Sequence, residues 1–376
     1  MTTHVFIVDE QSFQVHLEYM FVGTGSKEND VDFNNSDSTE LKYPSENGLV
    51  SMMADFSRVR IGDYVIFYVQ ATSKKEGKFY GIYQINEEPF IEHKGDKQYL
   101  LNKIGKNLTF RALIKPYMVY GEGVTEWEAL DDIKGIGAPN QMLWSLIYRK
   151  LRANRGNTMI TIYEAERLFN LIRVKNNNKE IVANSYSFKK DKVRGYKKFT
   201  KKYKGTRAEN FNIIPRLISK KQKKQAYESH LQMFITQHIG CHPSLDAALN
   251  VEAQTLEWLG NEVSCGVGMQ RIDVMFSKIN DDINREIVPL ELKAVPASLD
   301  NVRQISRYID WIEQYYVSNR PSTIRPVLIC PASNISNEIK QSFRRFNAQY
   351  NGRCLPLEYI EFTDNGSDLI FTNISY

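Results

Sequence analysis

Two strand-like runs around a polar turn constrain this chain more than any other stretch. They are RIDVMFS at 271–277 and EIVPLELKA at 286–294, and KINDDINR at 278–285 between them is rich in Asn and Asp. Such residues favour turns, and the flanking Val, Ile and Phe favour strands, so the segment reads as a β-hairpin. Centred near Asp282, a hairpin sets opposite each other residues whose numbers sum to 564, which brings Asp273 to face Glu291. Side chains alternate along a strand, so Glu291 and Lys293 share one face while Leu290, Leu292 and Ala294 take the other. The hairpin therefore carries two carboxylates and an ammonium on one face, the opposed carboxylates within about 5 Å between Cβ atoms.

Opposed carboxylates repel unless a positive charge lies between them. A hard divalent cation supplies it, so Asp273 and Glu291 are the expected metal ligands, with Mg²⁺ as cofactor and Mn²⁺ able to substitute. For phosphodiester hydrolysis the metal polarises phosphate and acidifies a bound water, while Lys293 orients that water or steadies the developing charge. Downstream, Gln304 and Tyr308 lie four residues apart on one face of the helix LDNVRQISRYIDWIEQYY. Around these residues the order is a helix (KQAYESHLQMFITQHIG), three strands from EVSCGVG onward, that helix, RPVLIC, NEIKQSFRRFNAQY and LEYIEF. The order implies a mixed central sheet with helices on its faces.

Asp273, then Glu291-Leu-Lys293, then Gln304-x-x-x-Tyr308 resembles the PD-(D/E)xK nuclease superfamily, and the Gln-x-x-x-Tyr element resembles its RecB-type members. The stretch from 270 to 312 is similar to the catalytic domain of NucS-type DNA endonucleases. The resemblance implies a restriction-endonuclease-like fold over 223–376, with Asp273, Glu291, Lys293, Gln304 and Tyr308 in the catalytic centre. Glu228, in AYESHLQMFI, matches the helix acid that often completes such centres. Pro289 stands where the family usually has an acid, so Asp273 must fill that role.

The chain has 376 residues, enough for two domains, with 42% hydrophobic and 25% charged residues. Its net charge of +5 is unevenly placed: 189–224 holds 15 Lys or Arg against two acids, leaving −8 elsewhere. Tyr196, Phe199, Tyr203 and Phe211 interleave with those cations, a pattern suited to phosphate contact with stacking. Lys197, Lys198, Lys201, Lys202, Lys204 and Arg207 are the expected DNA contacts. Residues 174–222 read as a basic linker between domains at 1–173 and 223–376.

Before the linker, HVFIVD, DYVIFYVQ, KFYGIYQI and LTFRALIKPYMVY read as strands, and NQMLWSLIYRKL and IYEAERLFNLI as helices. An α+β domain with a barrel-like sheet is expected, beside the α/β arrangement of the second. The GTG turn at 23–25, the GDYVIFY strand and the glycine-containing strand after it resemble EVE and PUA-like domains. That resemblance implies a pocket for a flipped, often modified base, with Tyr68, Trp127 and Trp144 as walls and Thr24 as a polar contact.

Nothing resembles a signal peptide or a membrane-spanning run, so a cytoplasmic protein is expected. Four cysteines without CxxC spacing suggest neither zinc nor disulfides, and no Walker A, HExxH, GxSxG or dinucleotide-binding motif occurs. The expected activity is a Mg²⁺-dependent, restriction-type DNA endonuclease, homodimeric because two strands need two centres. A NucS-like repair nuclease and a catalytically inactive nucleic-acid reader are the alternatives, and an RNA substrate stays open.

Overall fold

The computed structural model describes residues 1–25, 43–92, 97–147, 156–198, 201–207, 212–265, 270–279, 285–317 and 322–376. The chain divides into two compact units. The first holds 1–31, 55–137 and 141–211, and the second holds 32–54, 138–140 and 212–376.

The first unit runs β1 (Thr3–Val8), α1 (Glu10–Tyr19) and β2 (Phe21–Thr24). Helix α2 (Tyr43–Ser57) follows, its residues up to Ala54 belonging to the second unit. Then come β3 (Tyr64–Val69), β4 (Lys78–Ile85), β5 (Phe90–Ile91), α3 (Leu101–Ile104), β6 (Phe110–Pro116), β7 (Val124–Thr125) and α4 (Glu126–Leu130). The unit continues with α5 (Trp144–Ile147), β8 (Asn157–Ile160), α6 (Ile162–Lys175), β9 (Ser185–Lys189) and β10 (Lys192–Tyr196).

Its main sheet has the order β2-β6-β4-β3-β1-β8, with β1 parallel to β3 and the other pairs antiparallel. Among the described residues no ladder joins the edge strands β2 and β8, so the sheet is an open one. It nevertheless curls: a Cβ on Gly156, next to β8, would stand 2.3 Å from Thr24 Oγ1 at the end of β2. Glycine is required where two edges approach this closely. The four expected strands are present as β1, β3, β4 and β6, whereas α1, α2 and β8 were not foreseen. Part of the expected helix NQMLWSLIYRKL, at 148–151, lies outside the described residues.

The reading of 174–222 as a linker is corrected. Tyr186, Phe188 and Val193 alternate onto one face of the β9–β10 hairpin and are buried. Phe188 packs on Phe13 and Tyr80, with ring centroids 5.0 and 5.3 Å apart. Tyr203, expected to stack on nucleic acid, is instead buried among Phe21, Phe90 and Tyr99. Its hydroxyl accepts from Arg111 Nη1 at 2.9 Å and donates to Glu92. The segment thus supplies core to the first unit, because it carries its own apolar alternation beneath the charge. Phe199 and Phe211 lie outside the described residues.

The second unit runs α7 (Ile214–Gln222), α8 (Glu228–His238), α9 (Pro243–Leu249), β11 (Leu256–Ser264), β12 (Arg271–Ile279), β13 (Arg285–Leu292), α10 (Leu299–Trp311), β14 (Ser322–Ile324), β15 (Val327–Pro331), α11 (Asn337–Gln349), β16 (Glu358–Asp364) and β17 (Leu369–Asn373). Its sheet order is β11-β12-β13-β15-β16-β17, with β14 also on β13. The first three strands form an antiparallel meander, β13, β15 and β16 run parallel, and β17 returns antiparallel. This is the expected mixed sheet, with α9, β14 and β17 added and the first strand lying earlier than EVSCGVG. Glu46 of α2 ties α7 and α8 together: it accepts from Arg216 at 2.9 and 3.0 Å and lies 3.2 Å from Lys220 and 2.9 Å from His230.

Candidate active site

β12 and β13 pair as Val274–Leu290, Met275–Pro289 and Phe276–Val288, the register expected from the turn. One step beyond the ladder, Asp273 reaches Glu291's strand directly: Leu292 N–H donates to Asp273 Oδ2 at 2.8 Å. Beyond the strand end, Lys293 N–H donates to Ile329 O at 2.9 Å, which fixes the lysine beside β15. Its Nζ lies 2.5 Å from Glu291 Oε1 and 3.8 Å from Glu228 Oε1 of α8. Glu291 is 0% exposed, whereas the Glu228 side chain is about half exposed. The two acids and the lysine therefore meet at the ends of two paired strands, with α8 bringing a third acid from above.

Helix α10 contributes as its spacing implied. Tyr308 O–H donates to Glu291 Oε2 at 2.6 Å, and Gln304 Nε2 donates to Tyr308 Oη at 2.6 Å. The same phenol lies 2.9 Å from Arg271 O. Tyr308 is buried, so it orients Glu291 from behind and does not face solvent. The helix starts where Ser298 N–H donates to Asn301 Oδ1 at 2.7 Å, a capping arrangement that sets the angle of this face.

Burial, and next Glu291, push the Asp273 carboxyl well above its ordinary range. Burial also raises Glu291, against the pull of Lys293 and Tyr308. Lys293 is held above its usual value by Glu291, which outweighs the effect of burial. One ammonium does not balance this set of carboxylates, and that imbalance favours a further cation. The donors are carboxylate oxygens, which suit a hard divalent ion. No group of three or more His, Cys, Asp or Glu among the described residues is placed to hold a metal. Two protein carboxylates fit Mg²⁺, which keeps several waters and takes its remaining ligands from phosphate.

Two neighbours went unforeseen. Gln232, one turn after Glu228 on α8, donates to Asp273 O at 2.8 Å and to Glu262 Oε1 at 3.3 Å. Its four-residue spacing from Glu228 was the available signal. Glu262 falls between the pairs Asn261–Val274 and Val263–Ile272, hence opposite Asp273 on the other side. Its φ of 52° is left-handed, a conformation rare for such a residue within a strand, and it ion-pairs with Arg271. Nothing in the local sequence announces that backbone turn.

The four residues expected to line a base pocket lie in different surroundings. Tyr68 lies in the core with Val5, Ile66 and Phe79, and its hydroxyl donates to Glu126 at 2.6 Å. Trp127, on the short helix α4, is 64% exposed. Trp144 is half buried at the start of α5. The Thr24 hydroxyl is buried without a hydrogen-bond partner among the described residues. Alternation of strand β3 puts Tyr68 inward, where it packs into the core.

Of the expected DNA contacts, Lys197, Lys198, Lys202 and Lys204 are exposed with no ion pair among the described residues. Lys201 and Arg207 are exposed too, but bound to acids of their own unit, Glu18 at 2.7 Å and Glu87 at 2.5 Å.

Among the described residues no helix is long and apolar enough to cross a membrane. No protein-family model matches the sequence, and no curated protein matches it. Solved structures overlap part of it, among them the following three. A hypothetical protein from Leishmania major is 11% identical, with a TM-score of 0.30 over 46% of this chain and 96% of its own. Human THYN1, solved in complex with 5-methylcytosine-containing DNA, is 11% identical, with a TM-score of 0.26 over 46% of this chain and 97% of its own. A Pseudomonas putida protein is 10% identical, with a TM-score of 0.27 over 45% of this chain and 98% of its own. At this similarity no residue role passes from any of them to this chain.

Proposed function

We propose that the chain is a metal-dependent DNA endonuclease of restriction type, its second unit cutting and its first selecting the target. The observation that supports this best is the meeting of Asp273, Glu291 and Lys293 at the ends of β12 and β13. A bound Mg²⁺ would supply Lewis-acid activation of phosphate and of water. Asp273 and Glu291 would hold it, and Tyr308 and Gln304 would keep Glu291 in one rotamer. Lys293, held protonated beside Glu291, donates to a non-bridging phosphate oxygen or to the attacking water, and so favours the transition state over the ground state. Glu228, half exposed, would accept a proton from that water.

The first unit takes the reading role on its resemblance to EVE and PUA-like domains, with Thr24 and Trp144 the remaining pocket candidates. Lys197, Lys198, Lys202 and Lys204 would grip backbone phosphates. A double-strand cut needs two centres, hence two copies of the chain.

The test is cleavage of otherwise identical duplexes carrying unmodified, methylated or hydroxymethylated cytosine, with mismatch and flap substrates alongside. Mg²⁺-dependent double-strand cuts confined to modified duplexes are expected. Cuts at a fixed site in plain DNA would remove the modified-base part. Activity restricted to mismatches or flaps would make the protein a repair nuclease. No cleavage with Mg²⁺ or Mn²⁺ would sink the enzyme reading and leave a nucleic-acid reader.

A further inference from the structure

The β9–β10 hairpin turns on Lys190 and Asp191, whose φ values of 51° and 61° are those of a tight two-residue hairpin turn. Asp191 is tied down by Lys78, and Tyr80 O–H donates to its carbonyl at 3.0 Å. Phe188 N–H donates to Gln14 of α1 at 2.6 Å. With Tyr186, Phe188 and Val193 buried beneath it, the ribbon is fixed to the first unit along its whole length.

Alternation then decides what faces outward. Lys189 stands directly opposite Lys192, and Arg194 opposite Ser187. Like charges facing each other across a ladder are unfavourable. Lys192 is relieved by Glu122, but Lys189, Lys190 and Arg194 have no ion pair among the described residues. Beside the Lys192–Glu122 pair, the outward side of the hairpin therefore carries Lys189, Lys190 and Arg194, which no acid among the described residues neutralises.

We propose that this outer face is a contact surface for the phosphate backbone of duplex DNA. The proposal rests on the reading of the chain as a DNA-acting protein and adds the residues that grip. A membrane surface is a poorer fit, because interfacial segments turn an apolar face to the lipid and here that face is turned inward. Outward side chains on one strand recur about every 6.8 Å, twice the rise of about 3.4 Å per residue. Phosphates follow one another regularly along each strand of duplex DNA, so a ribbon with regularly spaced outward cations can meet more than one of them.

The test measures binding of a short duplex by fluorescence anisotropy in EDTA across a salt series. Three proteins are compared: the natural chain, Lys189→Ala with Arg194→Ala, and Lys201→Ala with Arg207→Ala. The first double variant is expected to lower the slope of log K against log salt by about 1.8, since each phosphate contact contributes about 0.9. The second, which removes charges already paired to Glu18 and Glu87, should lower it by less than half as much. Lys189→Gln with Arg194→Gln should reproduce the first result, which separates lost charge from local unfolding. An unchanged slope in the hairpin variant, or a larger fall in the Lys201/Arg207 variant, overturns the proposal. So does tighter binding of the natural chain to duplex RNA or to phosphatidylserine vesicles than to duplex DNA. Cleavage is not read in EDTA, so a failed nuclease reading would leave this result standing.

Discussion

Two of the buried charge clusters of the second unit differ in balance. Around Glu46, Arg216 and Lys220 surround one carboxylate, and His230 adds a hydrogen bond. Burial works to raise the Glu46 carboxyl, but His230 and Arg216, with Lys220, hold it far below its ordinary range. Burial also keeps His230 toward its neutral form, so the cationic charge there comes from Arg216 and Lys220. Around Glu291 the ratio reverses, and both Asp273 and Glu291 are pushed up. The first cluster is satisfied by the fold and braces α2, α7 and α8. The second is left short of positive charge, which is what the proposed metal-dependent reading requires.

That contrast can be broken by substitution. Glu46→Ala should cost most, about 3–5 kcal/mol of stability, because it removes the carboxylate that Arg216, Lys220 and His230 all contact in a buried setting. Denaturant unfolding would measure it. The sign of the pH dependence follows from the lowered carboxyl: Glu46 contributes stability above its ordinary value of 4.5, and loses it as pH falls through the lower folded value. The gap between natural and variant proteins should therefore close on acidification. A gap independent of pH would mean that packing, not charge, holds these helices.

Lys293→Ala should lower cleavage by about 10²–10³-fold, the effect of losing one preorganised donor to the transition state. Single-turnover kinetics on the preferred duplex would show it, and a loss below tenfold would remove the lysine from the reaction. Tyr308→Phe keeps the ring and deletes the hydroxyl on Glu291. A loss of about 10–100-fold is expected, recovered in part at higher Mg²⁺ if the phenol acts by orienting a metal ligand. Smallest is the effect of Asp273→Asn on stability. Removing one of two mutually repelling carboxyls should stabilise the metal-free protein by about 1 kcal/mol at neutral pH while abolishing cleavage. Destabilisation in EDTA would contradict the charge imbalance inferred for this cluster.

Legibility followed the range of the interaction. The turn between β12 and β13 is local, so the register could be written down from residue numbers, and the Val274–Leu290 pair obeys it. Gln304 and Tyr308 were equally legible, because four residues of helix return to one face. Tyr203 was misjudged: its neighbours are charged, and its partners Phe21, Phe90 and Tyr99 are far away in the chain. Tyr68 failed for a related reason, since inward alternation was right but the inside is core. Glu46 gave no signal at all, lying 170 residues from Arg216.

By itself, then, the sequence determined the elements and short-range pairings of the second unit, including which acids face which across one hairpin. Periodicity and turn chemistry act over a few residues, and those are fully written in the chain. Tertiary structure alone decided that α8 brings Glu228 and Gln232 over Asp273, that Glu262 turns left-handed beside it, and that a basic stretch is half core and half uncovered cation. Each of these depends on which distant surface a segment packs against, and burial across the fold, not local pattern, selects that surface.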